Sequence, residues 1–412
     1  MRRPFLSVGD RTVGFVQLRY AYRLTPTPGQ RRGLARAFGC ARVVFNDAVA
    51  ARRAAREAGE PYPSDAALSK ALTAVKRTPQ RAWLAKVSAV VLQQALADAN
   101  TAYSNFFASL SGERKGRRLG APRFRSKRDR AQSIRFTRAA RFRVLPNGML
   151  RLPGIGDVPV RWSRDLPGEA SSVTVTVDAA GRYHASFVVE VDDSPLPASS
   201  REVGIDLGLT HFAVLSDGRK VDNPRIARKA ARKLRRAQQE LARRQRGSAN
   251  RRKTVRKVAR CHARVGDTRR DWLHKLSTTI IRENQAVYVE DLAVSGLART
   301  RLARSVHDAG WSAFTAMLEY KARRRGRTFA RVDRWFPSTR ACSVCGVISE
   351  TKPLHVREWT CPCGAVHDRD VNAARNILAA GRADSPTLVE LVSAAPSGAQ
   401  PATKREPTGS TA

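Results

Sequence analysis

Three acidic residues stand in places where an acid is costly. In Val203-Gly204-Ile205-Asp206-Leu207, strand alternation puts Val203, Ile205 and Leu207 on one face and Asp206 on the other. Ala286-Val287-Tyr288-Val289-Glu290-Asp291 is an apolar strand that ends in two acids. Asp370, two residues after Asp368, opens a helix of small residues whose Ala373, Ala374 and Ile377 can pack closely on a sheet. Taken singly, each acid is more often a cap or an ion-pair partner than a ligand. If the three carboxylates converge, they offer the hard oxygen ligands that Mg²⁺ or Mn²⁺ prefers. Two such ions about 4 Å apart activate water and stabilise the leaving 3′-oxygen in phosphodiester hydrolysis.

A second constellation is made of cysteines. Cys342-Ser343-Val344-Cys345-Gly346 and Cys361-Pro362-Cys363-Gly364 are two knuckles, each with a glycine for the tight turn around a metal. Together they are the ligand set of a structural Zn²⁺ ribbon. The second knuckle is C-x-C where C-x₂-C is usual. Its shorter reach leaves three outcomes open: a strained tetrahedron, a weak site, or recruitment of His367. Cys40 and Cys261 are far apart in the chain and read as ordinary core or surface residues.

The rest of the composition says what such centres act on. Lys and Arg number 76 against 35 Asp and Glu, a formal net charge of +41 that calls for a polyanion, and nucleic acid is the usual one. A membrane-surface protein would gather its charge on one amphipathic helix or beside an apolar anchor, whereas here it is spread along the chain. The start is basic but has no long apolar segment after it, and no stretch approaches transmembrane length. Six cysteines in 412 residues are too few for a disulfide scaffold, which points to a reducing cytoplasm. A hydrophobic fraction of 42% marks a globular protein, long enough for two to four domains.

The elements that must position these residues follow from periodicity. Val16, Leu18, Tyr20 and Tyr22 alternate as a strand that ends at the Pro26/Pro28 turn. Leu34, Ala37, Phe38, Ala41, Val44, Phe45 and Val49 form a helical stripe, and helices are predicted over Lys70–Leu84 and Val87–Leu110. Residues 150–193 read as short strands of an antiparallel sheet or small barrel that the first strand can join. Between Arg114 and Arg143 there are thirteen Lys/Arg, one acid (Asp129) and the interleaved rings of Phe124, Phe136 and Phe142. That stretch reads as phosphate contacts with rings that pack or stack on bases, or else as a solvated loop. A new unit begins after Pro195/Pro197, with Val214–Gly218 as the return of a hairpin from the Asp206 strand. A helix over Arg225–Arg260 carries sixteen Lys/Arg and only Glu240 as an acid, so it is a solvated arm or a ridge that tracks phosphates. From about Ala380 the chain is Ser/Pro/Ala-rich and aperiodic, which predicts a disordered tail. There is no internal repeat.

In this order, the pieces resemble the TnpB (OrfB) family of transposon-encoded, RNA-guided nucleases, relatives of the compact type V CRISPR effectors. The carriers are Tyr22-Arg23-Leu24-Thr25-Pro26-Thr27-Pro28-Gly29-Gln30 with Asn46, and Pro122-Arg123-Phe124-Arg125-Ser126-Lys127. They continue with Gly204–Leu209, Glu290-Asp291-Leu292, Pro337-Ser338-Thr339-Arg340-Ala341-Cys342 and Asp368–Ala374, over roughly residues 19–380. The resemblance implies a multidomain α/β and α+β protein. A wedge-like β-barrel (1–28 and 122–197) would carry an inserted helical recognition lobe (29–121). A RuvC/RNase-H-like nuclease domain with the basic ridge (198–335 and 367–380) would carry a zinc-ribbon, target-binding insert (336–366), with the tail at 381–412. It implies Asp206, Glu290 and Asp370 as nuclease acids holding Mg²⁺ or Mn²⁺, with Asp368 a decoy for the third, and Cys342, Cys345, Cys361 and Cys363 as zinc ligands. Arg123, Arg125, Lys127, Arg232, Lys233, Arg235, Arg236 and Arg340 are the expected nucleic-acid contacts. The partners implied are a guide RNA from the transposon end and double-stranded target DNA cut beside a short adjacent motif, the protein acting as a monomer with its RNA. Two other functions are open: a guide-dependent DNA-binding regulator without turnover, and a transposase or recombination accessory protein.

Overall fold

The computed structural model describes residues 15–129, 131–353 and 355–384. The described residues divide into two compact units, one up to Asp193 together with Leu234–Ala263 and the other of Ser194–Lys233 together with the described residues from Arg264 on.

The first unit begins with strand β1 (Phe15–Leu24) and helix α1 (Pro28–Glu57). Thr27 starts the helix with a capping box: its hydroxyl accepts from the Gln30 backbone N–H, and the Gln30 side chain accepts from that of Thr27. The predicted apolar stripe of α1 is buried throughout. Helix α2 (Asp65–Val75) ends nine residues short of the predicted Leu84, and a turn and a 3₁₀ segment, Ala82–Lys86, follow it. Pro79 accounts for the break, since it has no N–H to donate and disfavours helical geometry in the residue before it. Helix α3 (Ala89–Leu110) packs on α1.

Six further strands complete the sheet: β2 (Gln132–Thr137), β3 (Arg143–Val144), β4 (Met149–Leu152), β5 (Gly156–Arg161), β6 (Ala170–Val177) and β7 (Tyr183–Asp192). Their order, β2-β6-β7-β1-β5-β4-β3, places β1 antiparallel to β7 along its whole length, so the first strand does join the later ones. Among the described residues the sheet is open: no pairing between β2 and β3 closes it into the expected barrel. Strand β2 lies inside the basic stretch and pairs with β6, which makes fully buried Phe136 a core residue and takes it away from any base. Of the three interleaved rings only Phe124 is exposed, and Phe142 packs against the core.

The basic segment forms two helices, not the single one expected: α4 (Ile226–Ala242) and α5 (Ala249–Glu283), separated by a turn in which Gly247 takes φ +87°. Glu240 holds the turn, accepting from Lys257 at 2.6 Å and from the Thr254 hydroxyl at 3.3 Å.

The second unit is built on a mixed sheet of β8 (Glu202–Asp206), β9 (His211–Leu215), β10 (Lys220–Asp222), β11 (Ala286–Glu290) and β12 (Thr328–Val332), in the order β10-β9-β8-β11-β12. Strands β8, β11 and β12 run parallel, and β9 and β10 return antiparallel. Two short helices, α6 (Val294–Leu297) and α7 (Ala303–Ala309), lead to α8 (Trp311–Arg324). Val203, Ile205, Val287 and Val289 share one apolar core with Leu273, Ile280, Phe314 and Leu318 of α5 and α8. The hairpin β13 (Glu358–Thr360) and β14 (Val366–Asp368) precedes α9 (Arg369–Asp384), which covers the opposite face of the sheet. Helix α9 runs four residues beyond the expected end at 380, because Gly381 lies against Tyr288 and Arg382 pairs with Glu202 at 2.5 Å. The rest of the predicted tail, 385–412, lies outside the described residues. Among the described residues no helix is long and apolar enough to cross a membrane.

Candidate active site

Register puts two of the three acids side by side. Val289 pairs with Ile205 across the parallel strands, so Glu290 and Asp206 end neighbouring strands at the same level. Pleating turns Asp206 to the face of Gly204 and Glu290 to the face of Tyr288, and that is the face α9 covers. Helix α9 approaches unusually closely. A Cβ on Gly204 would lie 2.2 Å from the Ala374 carbonyl oxygen, and one on Gly381 would lie 2.2 Å from the Tyr288 ring. These two glycines let the helix lie almost against the strand backbone. Asp370, one turn before Ala374, is thereby carried over the strand ends.

The electrostatics record the convergence. Burial, then the charges of Asp370 and Glu290, push the Asp206 carboxyl up to about 7, and Arg369 only partly offsets them. Burial and Asp291 also raise Glu290. The fold therefore concentrates negative charge here, which a bound cation would relieve. Asp370 itself faces Arg357, whose guanidinium lies 3.3 Å from both carboxylate oxygens and 3.5 Å from the Thr210 hydroxyl. Arg357 was not singled out in the sequence. It lies thirteen residues before Asp370, and only the β13–β14 hairpin brings it back. Asp368 behaves differently from its neighbour. It accepts from the backbone N–H groups of Asp370 and Val371 as a helix cap and pairs with Lys220 at 2.5 Å. Burial would raise its carboxyl, but Lys220 and those amides outweigh it and hold it below the usual range. A cleft of about 380 Å³ opens beside Glu290, lined also by Asp291, Trp311, Thr315, Arg331 and Arg334.

The cysteines close into one cluster. The four sulfurs lie within 4.8 Å of one another, the one such group of ligand side chains among the described residues, so the three acids do not gather as tightly. Cys342 and Cys363 are 3.8 Å apart and Cys345 and Cys361 3.6 Å. A tetrahedron with Zn–S bonds of about 2.3 Å has edges of about 3.8 Å, so the C-x-C knuckle reaches its corner and the donor set fits a zinc ion. His367, buried and packed against Trp359, places Nε2 3.0 Å from the Cys342 sulfur, adjoining the cluster as a fifth group. Burial raises the Cys342 thiol, but the backbone N–H groups of Cys345 and Val344 and the His367 ring outweigh it and bring it to about 5. Asn372 and Asn376, buried on α9, tie the cluster's base to the helix. Asn372 accepts from the Ser343 N–H and donates to the Ala341 carbonyl, and Asn376 donates to those of Ser338 and Ala341. Two amides in a helix of small buried residues are a signal the sequence already carried.

The basic residues separate into two sets. Arg232, Lys233, Arg235 and Arg236 on α4 are exposed and form no ion pair among the described residues, and the same holds for Arg123 and Lys127. Arg125 is engaged internally, with Asp98 3.3 Å away and its guanidinium 3.7 Å over the Phe45 ring. Arg340 is exposed and donates to the Ser349 carbonyl.

Comparison with known proteins gives this geometry its relatives. A protein of Streptomyces pristinaespiralis named "Putative RNA-guided DNA endonuclease" is 46% identical over 374 residues, covering 90% of this chain and 90% of its own length. The chain belongs to the TnpB family. A second TnpB relative, Escherichia coli "Putative RNA-guided DNA endonuclease InsQ", is 32% identical over 88% of this chain and 92% of its own. A family model described as "Probable transposase" matches residues 186–301, and one described as "Cas12f1-like, TNB domain" matches 311–377. A "Helix-turn-helix domain" model matches 16–61, where this TnpB protein has a strand and one continuous helix of 30 residues. In fold it is similar to Cas12f1 in a complex with sgRNA and target DNA, at a TM-score of 0.52 and 12% identity, covering 85% and 82% of the two chains. It is similar also to the mini-RNA-guided endonuclease CRISPR-Cas_phi3, at a TM-score of 0.52 and 9% identity, covering 92% and 94%.

Proposed function

We propose that this protein is an RNA-guided DNA endonuclease of a transposable element, with Asp206, Glu290 and Asp370 forming a RuvC-type centre. The observation that carries the reading is that Asp206 and Glu290 end neighbouring strands at the same level on the face that α9 covers, and the charges of Asp370 and Glu290 add to burial in raising the Asp206 carboxyl. The strand order β10-β9-β8-β11-β12, with an antiparallel half and a parallel half, is in keeping with an RNase-H-like domain. Mg²⁺ or Mn²⁺ held by the three acids would polarise the scissile phosphate and activate the attacking water. The chain itself orients the acids through the Gly204–α9 contact. It also keeps Arg357 and Arg369 beside them, cations suited to a phosphate that gains charge as it reacts. The open sheet with its helices would serve as wedge and recognition lobe, and the cysteine cluster as a zinc ribbon that binds target. The exposed cations of α4 would follow RNA or duplex phosphates. A guide RNA from the transposon end would read sequence by base pairing, with one protein per RNA.

The test is to express the protein with its flanking transposon end, sequence the RNA that co-purifies, and challenge the complex with matched targets beside a randomised adjacent motif. Double-strand cuts that require Mg²⁺ or Mn²⁺ are expected, with Asp370→Asn inactive and Asp368→Asn reduced but active. Wild-type cleavage by Asp206→Ala would overturn the assignment. Guided binding without cutting would favour a regulator, and the absence of any RNA would favour a recombination accessory role.

A further inference from the structure

The most exposed large apolar side chain among the described residues is Trp335, at 85%. It stands on a well-held turn. Its backbone N–H donates to the Asp333 carboxylate at 2.7 Å, and that of Phe336 to the Asp333 carbonyl at 3.1 Å. Phe336 turns inward against the core of Tyr288, Val332 and Ile377. The preceding residue, Arg334, pairs with Asp291 and lines the cleft that opens at Glu290. The turn leaves β12 at Val332, which is the register partner of Glu290. Trp335 lies three positions beyond that partner, a reach of at most ~11 Å. The fold therefore packs one ring of a Trp-Phe pair and holds the other in water, one residue beyond Arg334 in the lining of the cleft at Glu290.

We infer that Trp335 is a stacking platform for a nucleobase of the DNA strand entering the nuclease centre, and so positions the scissile phosphate. The inference rests on the nuclease reading of Asp206, Glu290 and Asp370. A stacking surface suits the place because an indole face accepts any base, whereas a nuclease whose guide reads sequence has no use for base-edge contacts at the cut. The surroundings favour a nucleotide over a protein partner. The neighbours Asp333 and Arg334 are exposed and charged. Arg331, paired with Glu319 at 2.8 Å, and Arg334, paired with Asp291, line the cleft next to the turn, and an incoming phosphate could draw on both guanidinium groups in place of those carboxylates. A protein interface would need an apolar patch around the ring, and charged residues precede it here.

The experiment uses the complete ribonucleoprotein and a matched target carrying a single abasic site, stepped nucleotide by nucleotide across the cleavage position on each strand. For the wild type, abasic substitution at one position, or at two adjacent ones, should slow cleavage about tenfold, in the range of one lost stack. Trp335→Ala should slow cleavage of the intact target by a similar factor, leave target affinity unchanged, and be indifferent to that abasic site. Trp335→Phe and Trp335→Tyr should restore most of the rate. The side chain is exposed, so the Ala variant should melt with the wild type. A Trp335→Ala complex that cuts at the wild-type rate overturns the inference, as do effects of variant and abasic site that multiply at every position. Asp206→Ala separates the two levels. If it is inactive while the Trp335 effects multiply, stacking alone fails. If it still cuts, the nuclease centre itself is misassigned.

Discussion

Replacing Asp206 by Asn should stabilise the metal-free protein while abolishing cleavage. The carboxyl is raised from an ordinary 3.8 to about 7, first by burial and then by Asp370 and Glu290. At 1.36 kcal/mol per pH unit, that displacement corresponds to about 4 kcal/mol as an upper bound. Asp206 remains partly open to solvent, and ions screen the cluster, so about 1–2 kcal/mol is the reasonable expectation. The sign follows from linkage. The folded value lies above the unfolded one, so the cost is absent below pH 3.8, grows as pH rises, and is complete above about 7. The amide removes this charge at nearly constant shape. In a magnesium-free buffer at pH 8, calorimetry should show the second unit of Asp206→Asn melting about 2–8 °C above wild type, at roughly 2–4 °C per kcal/mol. The advantage should shrink toward pH 4.5, and added Mg²⁺ should raise the wild type more than the variant. An Asn variant that is no more stable at pH 8, or equally favoured at both pH values, would refute the claim that the three carboxylates repel one another in the folded state.

Three further outcomes follow from the geometry. Gly204→Ala should destabilise the second unit by more than about 2 kcal/mol in denaturant titrations, because its Cβ would meet backbone atoms of α9 at 2.2 and 2.5 Å; a neutral result would mean that α9 can lift away from the sheet. Elemental analysis should find about one zinc per chain in the wild type and little in Cys342→Ser, whose sheet core should melt unchanged; an active, zinc-free wild type would show that the cluster folds without metal. Replacing Arg232, Lys233, Arg235 and Arg236 by Ala should reduce the log–log salt slope of duplex binding by about 3 to 4, at about 0.9 per phosphate contact, with target preference unchanged; parallel slopes would make α4 a solvated arm.

What the sequence determined by itself was local and periodic. The apolar stripe of α1 was readable because helical burial repeats at fixed spacing. The acids stood out because Asp206 and Glu290 interrupt or end apolar strands, and the cysteines because a tetrahedral ligand set leaves two short knuckles. Local pattern failed where non-local pairing decided the outcome. Strand β2 lay hidden in a run of arginines, since only its partner β6 buries Ile134 and Phe136. The sheet's failure to close depends on which edges find partners, and no single strand encodes that.

Tertiary structure alone decided the working geometry of the site. Asp368 and Asp370 are equivalent as composition, yet one is spent capping α9 and pairing with Lys220 while the other is carried over the strand ends. Arg357 reaches Asp370 only because a hairpin folds back, and Trp335 meets water only because Phe336 takes the core. The same holds for Gly204 and Gly381, ordinary glycines in the sequence, which set how closely α9 can lie on the sheet. Carboxylates repel one another, so packing must hold them together, and that packing comes from contacts 93 and 170 residues apart, which pattern reading along the chain does not reach.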